Sequence, residues 1–195
     1  MKSNLRASVV GSCLLACAVA GVAVVQCDHA ESAQRDDAAV VDSELLAFLS
    51  LARAHHHEAN LLEQSGDVQG AIGALKRIID APKPHAGQKL PEVEEVLADT
   101  YARMAELELG AKDTASAQRD VQAGLTHVSE PTYFRGHLLE VYGIVEEART
   151  AELADAGNAA EAERARTHGL ALLREAVDVQ EAVIGHVIAD GGGSK

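Results

Sequence analysis

The chain has 195 residues and a formal net charge of −13, with 30 acidic against 17 basic side chains. Binding to a phosphate backbone or to an anionic lipid surface requires a surplus of Lys and Arg, so nucleic acid is excluded as an expected partner and so is charge-driven membrane binding. Aromatic residues make up 3% of the sequence and there is no Trp. Leu, Val and Ile must build the core, with Ala and Gly allowing close backbone approach, which favours helix-on-helix packing over a sheet.

The N-terminus has the layout of an export signal. Lys2 and Arg6 precede an uncharged, apolar run over residues 7–27, which is the pattern of a charged region followed by a hydrophobic one. As a helix the run would be about 31 Å long, enough for an uncleaved membrane anchor. It also offers lipidation at Cys17, which follows Leu-Leu-Ala, or at Cys27, and it offers signal-peptide cleavage near residues 18–20. Each of these three fates places the rest of the chain outside the cytoplasm, facing the periplasm or the cell exterior, and the first two tether it to the membrane.

The segment after this run is expected to be a tether. Residues 28–41 are small and polar and have no hydrophobic period, as is typical of a flexible linker. All three cysteines lie within the first 27 residues. The remainder of the chain therefore has neither a disulfide framework nor a Cys-based zinc site.

Residues 42–188 are predicted to form three antiparallel helix pairs, at about 42–81, 91–128 and 131–188. The first helix should run from the capping residues 42–43 to Gln64, and Ser65, Gly66 and Asp67 should form the turn into the second. Gly70 and Gly73 lower the helix propensity of that second helix. We therefore expect them to mark a close approach of a neighbouring backbone.

The second and third pairs repeat this layout. Pro91 and Pro131 precede or begin their first helices, and polar turns at residues 110–113 and 156–158 separate the two helices of each pair. No segment alternates between polar and apolar residues as a strand would. The sequence thus predicts an all-α domain of six helices, followed by a disordered tail over residues 189–195.

The first pair resembles a tetratricopeptide repeat. The residues that match the family are small or apolar positions in both helices, the glycine and aspartate of the turn, and a proline near the exit: Ala59, Leu62, Gly66, Asp67, Ala71, Ile72, Leu75, Ile78 and Pro82 or Pro84. The second pair matches less fully, and the helices of the third are longer than the family's. The resemblance implies a right-handed array that binds a protein or peptide in a groove lined by the first helix of each pair. The residues it assigns to that groove are Arg53, His56, Asn60, Glu63, Glu95 and Asp99, with Arg103 as a further candidate.

Three adjacent histidines, His55, His56 and His57, stand in the first helix. Consecutive residues on a helix point about 100° apart, so the three side chains cannot converge on one metal ion. We expect His55 at a helix interface, His56 in the groove and His57 in solvent. The alternative function is a helical bundle of the cell envelope that binds a metal or a small ligand through its histidines.

The aromatic cluster at residues 132–137 has two interpretations. Tyr133 and Arg135 have the side-chain types that dominate binding hot spots, whereas Phe134 would pin the fifth helix to the second pair. The sequence has no Gly-rich phosphate loop, nucleophile elbow or converging carboxylate pair. We therefore predict a non-enzymatic scaffold or adaptor that needs no cofactor and binds a protein or peptide partner.

Overall fold

The computed structural model describes residues 42–86 and 88–191, and these residues are all-α. The six helices are α1 (Ser43–Gln64), α2 (Val68–Asp80), α3 (Pro91–Gly110), α4 (Thr114–Leu125), α5 (Tyr133–Asp155) and α6 (Ala159–Gly191). The prediction of an all-α domain with six helices is confirmed. The export or anchor segment, its lipidation candidates Cys17 and Cys27, and the tether lie outside the described residues.

The predicted tail begins three residues too early. Helix α6 continues through residues 189–191, because Ala is the best helix former and does not itself end a helix. The helix ends in a run of glycines, where the entropic cost of ordering the backbone is greatest.

The three turns inside the pairs share one hydrogen-bonded geometry. Each contains a residue with a positive φ angle, which is Gly66 at 86°, Lys112 at 61° and Gly157 at 81°. The amide of the next residue donates a 2.8 Å bond to the carbonyl five positions earlier, as in a Schellman motif. Asp67 and Asp113 then cap the following helix by accepting bonds from its first-turn amides. Turn and cap are thus formed by the same short segment.

The helices stack in chain order. Helix α1 packs on α2, α3 packs on both members of that pair, α5 packs on α3 and α4, and α6 packs on α5. One core cluster joins the first pair to α3 and is built from Phe48, Ala52, Ala59, Ala71, Ile72, Ala74, Leu75, Ile78, Val93, Leu97, Met104 and Leu107. A second cluster joins α3 to α6, and Phe134 packs against it. The first helices α1, α3 and α5 therefore lie side by side.

The side chain of Lys83 caps the C-terminus of α2, at the end of the first pair. The Lys83 ammonium donates to the carbonyls of Ile78, Ile79 and Ala81 at 3.1, 2.7 and 2.7 Å, and it lies 5.5 Å from the centre of the Phe48 ring. The Ile78 carbonyl also accepts a 3.4 Å bond from the Ala81 amide, and carbonyls at a helix end otherwise lack intrahelical donors. One side chain thus satisfies the C-terminus of α2.

The expectation of close packing at Gly70 and Gly73 is wrong. A Cβ at Gly73 would meet nothing within 4 Å, and one at Gly70 would meet only the side chain of Asp67, the cap of its own helix. The close approach lies between α5 and α6, where a Cβ on Gly143 would come within 3.3 Å of the carbonyl oxygen of Gly169 and the reverse distance is also 3.3 Å. Low helix propensity marks both kinds of glycine equally, so it does not identify the packed one.

Candidate functional site

The first helices carry a continuous row of polar side chains, which we name the first-helix strip. Its members recur at helical spacing, so that they share one side of each helix. They are His56, Asn60 and Glu63 on α1, Asp99, Arg103 and Glu106 on α3, and Tyr133 and His137 on α5. Five of these eight residues were assigned to the groove by the family resemblance, counting the further candidate Arg103, and Tyr133 was named from the aromatic cluster.

Arg103 joins α1 to α3 at the centre of this strip. Its guanidinium donates to Glu63, to the Asn60 side-chain oxygen at 3.4 Å, and to Glu106 at 2.9 Å. The planar fork of an Arg suits several acceptors at once, which Lys cannot match. Arg103 therefore fixes the relative position of the two helices and holds both carboxylates in the strip.

His137 joins α3 to α5 in the same way. Its Nε2 lies 3.4 Å from Glu106, and its Nδ1 lies 3.8 Å from Asp99, which is longer than a hydrogen bond. The carboxylates of Asp99 and Glu106 raise the pKa of His137 to about 10. The ring of Tyr133 stacks on it at a centroid distance of 6.1 Å. At neutral pH His137 is thus a cation held between two acids and covered by an aromatic ring.

His56 also lies in the strip, and its charge state is opposite to that of His137. Its Nε2 lies 3.1 Å from the hydroxyl oxygen of Thr100 and 3.9 Å from Asp99. Burial lowers the pKa of His56, because a low-dielectric surrounding disfavours the charged ring. His55 instead lies against α2, where it contacts Glu58 and Arg77. His57 is exposed, so the three adjacent histidines lie on different surfaces.

The other predicted groove residues lie apart from these contacts. Arg135 donates to the Val128 carbonyl at 3.0 Å and to Glu175 of α6 at 2.7 Å, so it ties α5 to its neighbours. Glu95 lines a cavity of about 200 Å³ between the start of α3 and the loop before α5. Arg53 is exposed on α1.

Sequence reasoning missed the bridging roles of Glu106 and His137. Glu106 follows Arg103 by three residues and His137 follows Tyr133 by four, so each shares a helix face with a residue that was named. That spacing was the available signal. The contact between the two residues crosses from α3 to α5, and no local pattern reports it.

A buried Glu and a half-buried Asp lie next to each other outside the strip, between α3 and α4. Glu108 is 6% exposed, and among the described residues neither its Oε2 nor the Oδ2 of Asp120 has a hydrogen-bond partner. Burial and the Asp120 carboxylate raise the pKa of Glu108 to about 7. Burial also raises the pKa of Asp120. The pair therefore favours a state in which at least one proton is retained.

The larger cavities lie between α5 and α6. One of about 470 Å³ is lined by charged side chains, including Arg149, Arg164 and the buried Glu146, which binds Arg149 through both carboxylate oxygens. Another of about 520 Å³ has a mainly apolar wall that includes Leu170 and Leu173. Neither cavity opens on the first-helix strip.

The described residues contain neither a cluster of metal-ligating side chains nor a membrane-spanning helix. Within residues 42–86 and 88–191, no group of three or more His, Cys, Asp or Glu side chains is placed to hold a metal ion. In the same ranges, no helix has both the length and the apolarity needed to cross a bilayer. Comparison of the chain with protein-family models, with characterised proteins and with solved structures finds no match.

Proposed function

We propose that the helical domain is a scaffold related in design to tetratricopeptide arrays, and that it binds a protein or peptide partner across the first-helix strip. The observation that carries this proposal is the convergence of polar side chains from α1, α3 and α5 on one row. Three helices contribute to the row, so a partner that crosses it would meet every pair of the domain.

The shared turn geometry supports the repeat interpretation. Positive φ angles recur at residues 66, 112 and 157, an interval of about 45 residues against 34 for a tetratricopeptide unit. The long first helices within these intervals contribute to the difference, because α3 has 20 residues and α5 has 23. The proposed array is thus a lengthened version of the family's design, in which each pair covers the apolar face of the one before.

The side chains of the strip are suited to recognition because they are already positioned. Arg103 and His137 hold Glu63, Asp99 and Glu106 in place, so a partner loses little side-chain entropy on binding them. Tyr133 remains 57% exposed beside this network. An exposed aromatic ring beside fixed charges is a typical anchor for a partner side chain.

The location that we propose follows from the N-terminal sequence. The charged start and the apolar run of residues 7–27 favour export, which would place the scaffold on the outer side of the cytoplasmic membrane, tethered if the run is retained or lipidated. We propose no catalytic role, since the hydroxyl beside His56, that of Thr100, is buried and donates to the Val96 carbonyl, which leaves it unavailable as a nucleophile.

The proposal is tested by affinity purification from the native envelope with two strip variants, Asn60→Lys and Tyr133→Ala. Both residues are exposed, so the fold should be retained, and each change should reduce recovery of a partner at least fivefold. Arg119→Ala on α4 is the matched control, because Arg119 is equally exposed on a second helix. Equal loss in the control, or full recovery with both strip variants, would reject the strip as the binding face.

A further inference from the structure

Helix α6 has a second apolar stripe, which flanks the face that packs on α5. Leu170, Val177 and Ile184 are 47%, 56% and 58% exposed, and they recur every seven residues. Leu173 lies between the first two and packs against Gly143 of α5. A seven-residue period is that of one position in a coiled-coil heptad. From Leu170 to Ile184 the stripe is about 21 Å long.

This stripe differs from the one that packs on α5. The packed stripe consists of small and aliphatic residues, namely Ala162, Ala165, Leu172 and Ala176. The exposed stripe instead borders two neighbouring cavities of about 520 and 360 Å³. Scattered exposed apolar residues are ordinary, but a row that recurs every seven residues over two heptads marks an interaction surface.

The end of α6 also extends past its partner helix. Gln180 already lies at the start of α5, where its amide donates to the Tyr133 carbonyl at 3.5 Å. About three further turns of α6 follow. On them Val187 and Ile188 are 68% and 69% exposed. An unsupported helical segment with such side chains gains stability from a covering helix.

The charges beside the stripe identify the helix that fits it. Arg174 stands three residues before Val177 and Glu181 stands four residues after it, and both are exposed. At about 100° per residue, the two project to the same side of the stripe, 40–60° from Val177. If a second α6 runs antiparallel to the first, with the two Val177 side chains facing each other, Arg174 of each copy lies beside Glu181 of the other. The pattern is complementary to itself, as a twofold interface requires.

We propose that two copies of the chain associate through α6 in this antiparallel arrangement. Val177 lies on the twofold axis, and Leu170 of each copy packs against Ile184 of the other. The two Arg174–Glu181 pairs fix the register, as charges beside a coiled-coil seam do. The overhanging turns of each copy then lie along the first half of the other copy's α6.

The test measures the mass and the dissociation constant of the full chain in detergent, by light scattering and by sedimentation. The wild-type protein should be a dimer at micromolar concentration. Val177→Glu should raise the dissociation constant at least about 100-fold, because it places two carboxylates at the axis. Leu61→Glu on α1 is the matched control, since Leu61 is 54% exposed and lies outside the proposed interface.

A charge exchange tests the register itself. Arg174→Glu and Glu181→Arg should each weaken the dimer by about fivefold to tenfold, because each creates two like-charge contacts. The double variant should return to within about twofold of wild type. Residues 174 and 181 are two turns apart in one chain, so this rescue requires a second copy.

Three results would overturn the proposal. They are a monomer at 100 µM, a dimer that Val177→Glu leaves intact, and a double charge variant that is weaker than either single one. Helical circular dichroism of every variant verifies that each is folded.

Discussion

Replacing Glu108 by Gln should stabilise the domain at alkaline pH and have little effect in acid. Buried Glu108 lies beside half-buried Asp120 between α3 and α4, and the pKa of Glu108 is raised to about 7 from 4.5. A raised carboxyl pKa means that the folded state binds more protons than the unfolded state between these two values. Stability contributed by this group is therefore present below about pH 4.5 and is lost as pH rises to about 7.

The size of this loss of stability follows from the pKa shift of Glu108. A pKa difference of this size corresponds to about 3 kcal/mol, and solvent access to Asp120 reduces the expected effect to about 2 kcal/mol. Glu108→Gln removes the charge and keeps the shape, so at pH 8 it should gain about 2 kcal/mol over wild type. At pH 4.5, where Glu108 is protonated, the gain should be close to zero.

Urea denaturation followed by circular dichroism, at several pH values from 4.5 to 8.5, measures the unfolding free energies of wild type and variant at each pH. Glu130→Gln in the exposed loop before α5 is the control and should change stability by less than about 0.5 kcal/mol at every pH. If the Glu108→Gln variant is no more stable than wild type at pH 8, the interpretation of Glu108 and Asp120 as a destabilising acid pair is refuted.

The remaining predictions concern backbone packing, a helix end and two charge states. Gly73→Ala should stabilise the domain by about 0.5–1 kcal/mol, since its Cβ meets open space. Gly143→Ala should instead destabilise it by about 1–3 kcal/mol, because its Cβ clashes with α6. Thermal unfolding of the two variants measures this difference. Lys83→Met should lower the unfolding free energy by about 1–3 kcal/mol by leaving three carbonyls without their donor, which denaturant midpoints would reveal. The NMR titration of His137 should have its midpoint near 10 and that of His56 below 6.5. Stability from His137 should be complete below about pH 6.5 and lost as pH rises toward 10, and a midpoint for His137 near 6.5 would contradict its placement between two acids.

The helices were predictable because their ends are set locally. The capping aspartates and prolines stand beside the apolar period that they delimit, so α1 begins and ends where the sequence predicted. The turn after α3 was placed correctly, but its glycine was not the decisive residue. Gly110 closes the helix, and the left-handed position falls on Lys112. The hydrogen bonds of the motif hold a non-glycine residue there, at a cost of about 1 kcal/mol.

The sequence could indicate which residues of one helix belong to the strip, but not which residues of different helices meet there. His56 and Asp99 were assigned to the groove through the family resemblance, but the position of His137 between Asp99 and Glu106 depends on how α3 and α5 pack. The acid pair was missed for the same reason, because Glu108 in sequence is one more polar residue near a helix end. Helical periodicity assigns a face to a residue, and tertiary packing then determines which residues of that face meet.

Site-specific photocrosslinking in intact cells tests the central claim most directly. A photoreactive residue at position 60 or 133 of the first-helix strip should produce a single discrete protein adduct, and the same residue at position 119 on α4 should produce none. Adducts of equal yield from all three positions, or none from the strip, would contradict the account of a scaffold that binds its partner through α1, α3 and α5.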